Sequence, residues 1–402
     1  MKKEKLNIAI SKLKIGQYRL HSIPKVYPQD EQVEIRRRYL SEITGVNLDI
    51  LKLSSEESMK AATAIENCIG AVRIPIGIAG PMKLIGSQGS REIFIPLATT
   101  EGALVASVNR GISICNRQGG IKTELYADGM TRAPLFQGED ARHIKKSIKW
   151  INNHLKQLDD CCRSTSRYCR LIDIQLFPMG HLLNARFAFS TGEAMGMNMA
   201  TFAAQKCAEY ISAKTKLELI SIAGNLCSDK KAAAINAILG RGKTVCAWIN
   251  LPVSIIEEKL RTSAARLQEI ALKKVLLGSA FAQSLSYNAH AANIIAAIFV
   301  ATGQDIPQIV ESSNAFVWIE PKNDSILLTV QLQSLEVGTI GGGTSQPGPA
   351  ALLDLMGCRG LGSARLLAEA ICGAVLAGEL SYLGALASGE AILAHQMLGR
   401  RV

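Results

Sequence analysis

From residue 363 the chain reads SARLLAEAICGAVLAGELSYLGALASGEAILAH, a run of alanine, leucine and glycine ending at residue 395. Glu369, Glu379 and Glu390 interrupt it, and ionised side chains are costly in hydrocarbon. It reads as a core helix. IIAAIFVA at 294–301 is too short to cross a bilayer and reads the same way. Burying such segments takes a large core, which 402 residues with 48% hydrophobic content can supply, in two domains.

Another acid stands among small apolar residues in IPLATTEGALVASVNRG, residues 95–111. The spacing predicts a helix N-capped by Thr99 or Thr100, with Glu101 in its first turn and an apolar face of Leu104, Val105, Val108 and Ile112. Gly102, Ala103, Ala106 and Ser107 on the same turns admit a ligand or another backbone at close range.

Net charge is +11, concentrated in the first forty residues. That suits anionic small molecules. At 5% aromatic content, with no readable nucleic-acid module, a nucleic-acid partner is not expected. The basic N-terminus lacks the apolar core of a signal peptide, so the expected location is cytoplasmic, without a membrane anchor. Ten irregularly spaced cysteines, with no C-x-x-C pair, read as buried free thiols, and no metal is expected.

Residues 1–60 read as helices and turns, with SSEESMKAATAIEN giving an N-cap serine followed by acids. AVRIPIGIAGPMKLIG is β-rich. From 133 to 222, charged helical stretches flank the alternating strands RLIDIQLF and LLNARFAFS, and MNMATFAAQKCAEYISAKT follows as a helix. That is a compact α+β unit inserted in the chain. Ala/Gly-rich helical character then returns.

Four segments carry polar groups in telling places. CSDKKAAAINAILGRGK (227–243) sets Asp229, Lys230 and Lys231 before an Ala-rich stretch; a lysine held by a carboxylate stabilises a developing oxyanion, whereas the bland reading is an N-cap with two solvated lysines. YNAHAANIIAAIFVATGQD (287–305) is a buried helix whose Asn288, His290 and Asn293 need internal partners, with Asp305 past its terminal glycine. STGEAMGMNMA (190–200) joins strand to helix through glycines that leave N–H groups for a pyrophosphate. EVGTIGGGTSQPGP (336–349) is a glycine loop. No G-x-G-x-x-G occurs in the dinucleotide-fold context, so a Rossmann reading has no support.

Together the motifs ENCIG, PIGIAGP, ATTEGALVASVNRG, DGMTRAP, STSRYCRL, GEAMGMNM, DKKAAAIN, GRGK, NAHAANI, GQD, GTIGGGT and AHQMLGRR resemble, in order, the 3-hydroxy-3-methylglutaryl-CoA (HMG-CoA) reductases over roughly residues 60–402. The resemblance implies an α+β fold: a large mixed α/β substrate-binding domain around a buried central helix, with an inserted ferredoxin-like, non-Rossmann nucleotide-binding domain. It divides the chain into an N-terminal segment 1–58, a large domain of 59–132 and 223–402 with a C-terminal flap at 385–402, and a small domain at 133–222. By motif, Glu101, Lys230, Asp305 and His395 are implied to be catalytic, in the reduction of HMG-CoA to mevalonate and coenzyme A with two NADPH. Lys230 would stabilise each oxyanion with Asp305 bonded to it, Glu101 would share that network and supply a proton, and His395 would protonate the CoA thiolate. Arg132, Asp229, Lys231 and Lys273 resemble contacts to the substrate's carboxylate and hydroxyl; Ser107, Asn109 and Arg110 resemble CoA contacts; Asn293 resembles a partner of the catalytic network. Ser166, Arg167, Glu193, Met195, Gly196, Met197, Asn198 and Met199 resemble the nucleotide site, with Arg400 near a 2′-phosphate.

The sequence departs from the family in three ways. Glu193 stands where Asp is usual, Ala223 replaces a serine, and Arg401 sits where animal members carry a phosphoserine. The resemblance favours a soluble prokaryotic member of the NADPH-using class I, assembled as a homodimer or a dimer-based oligomer with sites between subunits. A degradative NAD-dependent enzyme and a silent CoA-binding homologue are the competing expectations.

Overall fold

The computed structural model describes residues 2–389. His395, Arg400 and Glu390, with the rest of 390–402, lie outside the described residues. Helices α1 (Lys2–Lys14), α2 (Gln29–Thr44) and α3 (Ser55–Ala64) come first. Ser54 and Glu57 form a reciprocal capping box at the start of α3, as serine followed by acids predicts. Leu6, Ile10, Tyr27 and Ile35 belong to a small core of this segment.

The chain continues through β1 (Ile76–Gly86), β2 (Gly89–Ala98), α4 (Leu104–Arg117), β3 (Ile121–Arg132), β4 (Leu135–Gln137), α5 (Ala141–Asn152), α6 (Leu155–Thr165), β5 (Arg170–Met179), β6 (Leu182–Ser190), α7 (Met197–Thr215) and β7 (Glu218–Ser221). After α8 (Ala234–Leu239) come β8 (Gly242–Pro252), a helical run at 264–281, α9 (Ala291–Thr302), β9 (Ala315–Pro321), β10 (Ser325–Leu335), α10 (Pro347–Leu355) and α11 (Ser363–Ser388).

The strands form one mixed sheet in the order β7-β4-β6-β3-β8-β10-β9, with β1 on β2 and β3, and β5 on β6. Its ladders are antiparallel except for a two-residue parallel register between β1 and β3. Strand β3 joins two hydrophobic clusters: Lys122 to Gly129 pair with β8, and Met130 to Arg132 pair with β6. On one side Phe136, Ile144, Phe187, Phe189 and Ile211 pack together, all from the stretch read as an inserted unit. On the other the cluster includes α4, α9 and α11.

Helix α11 is long and apolar enough to cross a membrane, but here it is mostly buried in protein. Its acids are satisfied rather than solvated. Glu369 accepts from Ser87 N (2.9 Å) and Ser87 Oγ (3.1 Å) in the β1–β2 turn. Glu379 accepts from the N–H groups of Ala289 (2.8 Å) and His290 (2.7 Å) at the start of α9. A buried carboxylate with two donors is tolerated because each bond to a charged acceptor contributes about 1.5–3 kcal/mol. Helix α4 crosses α11 so closely that a Cβ at Gly111 would lie 1.8 Å from the Ala377 carbonyl oxygen. Only glycine fits there. The flap expected from 385 begins inside α11, which continues to Ser388 and ends on left-handed Gly389.

Candidate active site

Two of the predicted catalytic groups meet as an ion pair. Lys230 Nζ lies 3.0 Å from Asp305 Oδ2, both partly exposed. The lysine arrives on an unusual loop in which Ser228 (φ 50°) and Lys230 (φ 55°) are both left-handed, a conformation that non-glycine residues adopt only against a penalty of roughly 1–2 kcal/mol. Helix α8 starts only at Ala234 with Ala233 as N-cap, so neither Ser228 nor Asp229 caps it. The bland reading of this segment fails for that reason. Asp305 follows Gly303, whose left-handed backbone (φ 67°) ends α9.

Glu101 lies before α4 rather than in its first turn. Ala103, left-handed at φ 74°, is the N-cap, and Thr99 Oγ1 accepts from Glu101 N (3.0 Å) instead of capping the helix. A hydroxyl that bonds its own turn at i+2 competes with capping. The carboxylate is thereby left exposed, and Glu101 Oε2 accepts from Asn293 Nδ2 at 2.7 Å. The single network expected from sequence is two pairs in this chain. Asn293 sits in the first turn of α9 and Asp305 beyond its last, and the helix axis from Asn293 to Thr302 alone spans roughly 13 Å.

His290 Nε2 is hydrogen-bonded to Gly378 O (3.1 Å) and its ring packs on Tyr382. Asn288 Oδ1 accepts from Ala291 N (3.0 Å). Both are structural.

Asp229 is the hub of the substrate-side residues. Arg132 Nη1 lies 3.7 Å from Asp229 Oδ2, Lys231 Nζ donates to the Asp229 carbonyl oxygen at 3.1 Å, and Arg241 Nη2 and Gln308 Nε2 each reach Oδ1 at 3.0 Å. Burial pulls the Asp229 pKa upward, but Arg241, Gln308, Arg132 and Lys230 together hold it below the usual carboxylate value. Lys273 is not brought to this group by any described contact; it is exposed and pairs with Glu269 at 2.6 Å, one helical turn away.

Arg241, Gln308, Glu311 and Glu336 were not singled out in the sequence. The GRGK turn is the signal for Arg241, which among the described residues is the largest fully buried side chain. Asp229, Glu311 and Glu336 could together ligate a cation, but the Arg241 guanidinium already contacts all three.

On α4, Ser107 Oγ and Arg110 Nε bond Ser381 Oγ of α11 at 2.9 and 3.0 Å. Asn109 Oδ1 accepts from Gly80 N at 2.9 Å. Asn109, Arg110, Ser113, Arg117 and Lys259 line an open cavity of about 360 Å³.

Of the residues expected to hold the nucleotide, Ser166 and Arg167 gather around Tyr168. Its N–H donates to Ser166 Oγ (3.2 Å), the Arg167 guanidinium lies over its ring at 4.7 Å, and its carbonyl accepts from Ser190 Oγ (3.3 Å). Gly196, left-handed at φ 93°, starts α7 without a side-chain cap, which leaves N–H groups of the first turn open, Asn198 being exposed there. Met195, Met197 and Met199 pack against the small unit's core, and Met197 Sδ lies 2.8 Å from Arg241 Nη2. Glu193 spans the two halves: its oxygens accept from Gly362 N (2.7 Å), Ala364 N (2.7 Å) and Ser363 Oγ (3.2 Å) at the start of α11.

A family model described as hydroxymethylglutaryl-coenzyme A reductase matches residues 32–400. A match of that extent, over a chain with a lysine–aspartate pair and a glycine-started helix, makes the protein an oxidoreductase. The chain is 41% identical to the 3-hydroxy-3-methylglutaryl-coenzyme A reductase of Haloferax volcanii over 96% of this chain and 97% of that protein. It is 42% identical to that of Halobacterium salinarum over 97% and 98%. Among solved structures, a class II 3-hydroxy-3-methylglutaryl-CoA reductase from Streptococcus pneumoniae, bound to NADPH in open conformations, superposes with a TM-score of 0.64 at 20% identity, covering 87% of this chain and 97% of that one. The chain belongs to the hydroxymethylglutaryl-coenzyme A reductase family.

Proposed function

We propose that this chain reduces HMG-CoA to mevalonate and free CoA with two NADPH, in the mevalonate route to isoprenoids, as a cytoplasmic enzyme of class I type. The Lys230–Asp305 pair carries the reading. A positive group aimed at a carbonyl oxygen stabilises the charge that develops as hydride adds, and it does so twice, at the thioester and at the aldehyde. Asp305 holds the ammonium. Arg132, Asp229 and Lys231 stand beside it to bind the substrate's carboxylate and hydroxyl, and the cationic cavity on α4 suits CoA phosphates.

The residues at 166–167 and 193–199 fit a dinucleotide: an uncapped helix start offers N–H groups to a pyrophosphate, and Arg167 is an exposed cation. NADPH supplies the hydride. A hydrophobic cluster built mainly from residues 136–217 supports a separate unit at 133–222. Glu101, with Asn293, delivers the proton to the carbonyl oxygen, and His395 protonates the leaving thiolate.

Glu101–Asn293 and Lys230–Asp305 lie at opposite ends of α9, which supports a site that a second copy completes. Leu272, Leu276, Leu277 and Phe281 (94% exposed) form an apolar face on the 264–281 run that such a copy would cover. Purified protein mixed with HMG-CoA should oxidise two NADPH per CoA thiol released, read by nicotinamide absorbance and a thiol reagent, and should elute as a dimer or larger. Turnover only with NAD, from mevalonate and CoA, makes it the degradative enzyme; no turnover in either direction makes it a silent homologue.

A further inference from the structure

Behind Lys230, Asp229 is tied to a buried ion cluster whose other members have no assigned part in the reaction. The Arg241 side chain, fully buried, donates through Nη1 to Glu311 Oε1 (3.0 Å), Gln308 Oε1 (3.2 Å) and Glu336 Oε1, and through Nη2 to Asp229 (3.0 Å). Glu311 Oε1 also accepts the backbone N–H of Lys230 at 2.6 Å. One guanidinium therefore braces both the Asp229 carboxylate and the group that grips the next residue's backbone. That grip falls on a left-handed lysine, a conformation that persists only when its surroundings over-determine it.

We propose that Glu311 is a positioning residue: its carboxylate, braced by Arg241, pins the left-handed backbone at Lys230 and so aims the ammonium at Asp305 and at the substrate oxygen. This rests on Lys230 being the oxyanion-stabilising cation. Burial pushes the Glu311 pKa up against the pull of Arg241, so a neutral amide is a sound replacement for the acid. Among the described residues Glu311 Oε2 has no hydrogen-bond partner, which leaves the grip on Lys230 and Arg241 to Oε1.

The test uses the full-length enzyme and three variants. Glu311→Gln keeps an acceptor for the Lys230 N–H and should retain kcat within about threefold. Glu311→Met keeps the volume and removes the acceptor; it should lose about a hundredfold in kcat, with KM for NADPH unchanged, as expected for a catalytic group displaced by about 1 Å. Glu311→Asp retracts the carboxylate while keeping its charge for Arg241, and should fall between the two. A merely structural role predicts lower thermal stability in all three with normal turnover of the folded enzyme, and that result overturns the proposal. If the Met variant does not fold, the Asp and Gln pair decides: equal, wild-type kcat in both overturns it. Lys230→Ala run alongside separates the two claims. An inactive Lys230→Ala with an active Glu311→Met refutes positioning alone, whereas an active Lys230→Ala refutes the role of Lys230 and this inference with it.

Discussion

Two carboxylates meet the first turns of α9, and they are used in opposite ways. Glu379 is fully buried and holds two backbone N–H groups, those of Ala289 and His290. Glu101 is exposed and holds one side-chain amide, that of Asn293. A buried acid saturated by backbone donors is locked and contributes to stability; an exposed acid on a single amide keeps lone pairs for a substrate or a proton. Motif type alone does not separate them, since both are glutamates among small apolar residues.

The contrast breaks most sharply at Glu379. Replacing it with Ala orphans two part-buried N–H groups and leaves a cavity in the core, and should destabilise the protein by about 4 kcal/mol, read in urea unfolding. Substitution on the catalytic side should do the reverse. Lys230→Ala is expected to lose about a hundredfold or more in HMG-CoA turnover, and Glu101→Gln a similar factor, with unfolding midpoints unchanged. Near-normal turnover in either removes that residue from the mechanism. A third acid sharpens the comparison: Glu193 caps α11 from the nucleotide side, so Glu193→Ala should cost about 1 kcal/mol in stability. It should weaken NADPH binding only if that cap also sets the nucleotide loop, which a titration of nucleotide fluorescence would show.

The smallest effect is one of pH. Burial raises the Glu379 pKa, opposed by His290 and Lys274, so the native state binds its proton more tightly than the unfolded chain, where glutamate titrates near about 4.3. Its contribution is therefore greatest below that value and declines as pH rises through the raised native value. Glu379→Gln lacks this titration, and its stability relative to wild type should improve from pH 5 to pH 8. A difference independent of pH would mean that the carboxyl stays ionised throughout.

The segments proposed to carry the chemistry stood out through their ordered resemblance to a family, since the DKK stretch by itself also has a bland structural reading. TTEG, DKK and GQD name Glu101, Lys230 and Asp305, and hydropathy alone marked α9 and α11 as buried. Helix starts were less legible: Thr99 bonds its own turn, and Ala103 takes the cap position with a left-handed backbone that composition does not foretell. Lys273 was placed with the substrate residues by motif, yet its described partner is Glu269 on its own helical run.

What the sequence by itself determined is the inventory of groups and the burial of its apolar helices, since hydropathy and short motifs are properties of neighbours in the chain. Only the tertiary structure decided which acids are saturated by hydrogen-bond donors and which are left exposed. Ser87 and Glu369, Ala289 and Glu379, and Lys230 and Glu311 are brought together across 282, 90 and 81 positions of chain, and a hydrogen bond over such a separation exists only once the sheet and α11 have closed the loops between its partners. Arg241 shows the same physics most fully. In sequence it is one residue of a glycine turn; in the fold, desolvation makes it the common partner of Asp229, Glu311 and Glu336, because a buried charge must find its counter-charges wherever the chain has brought them.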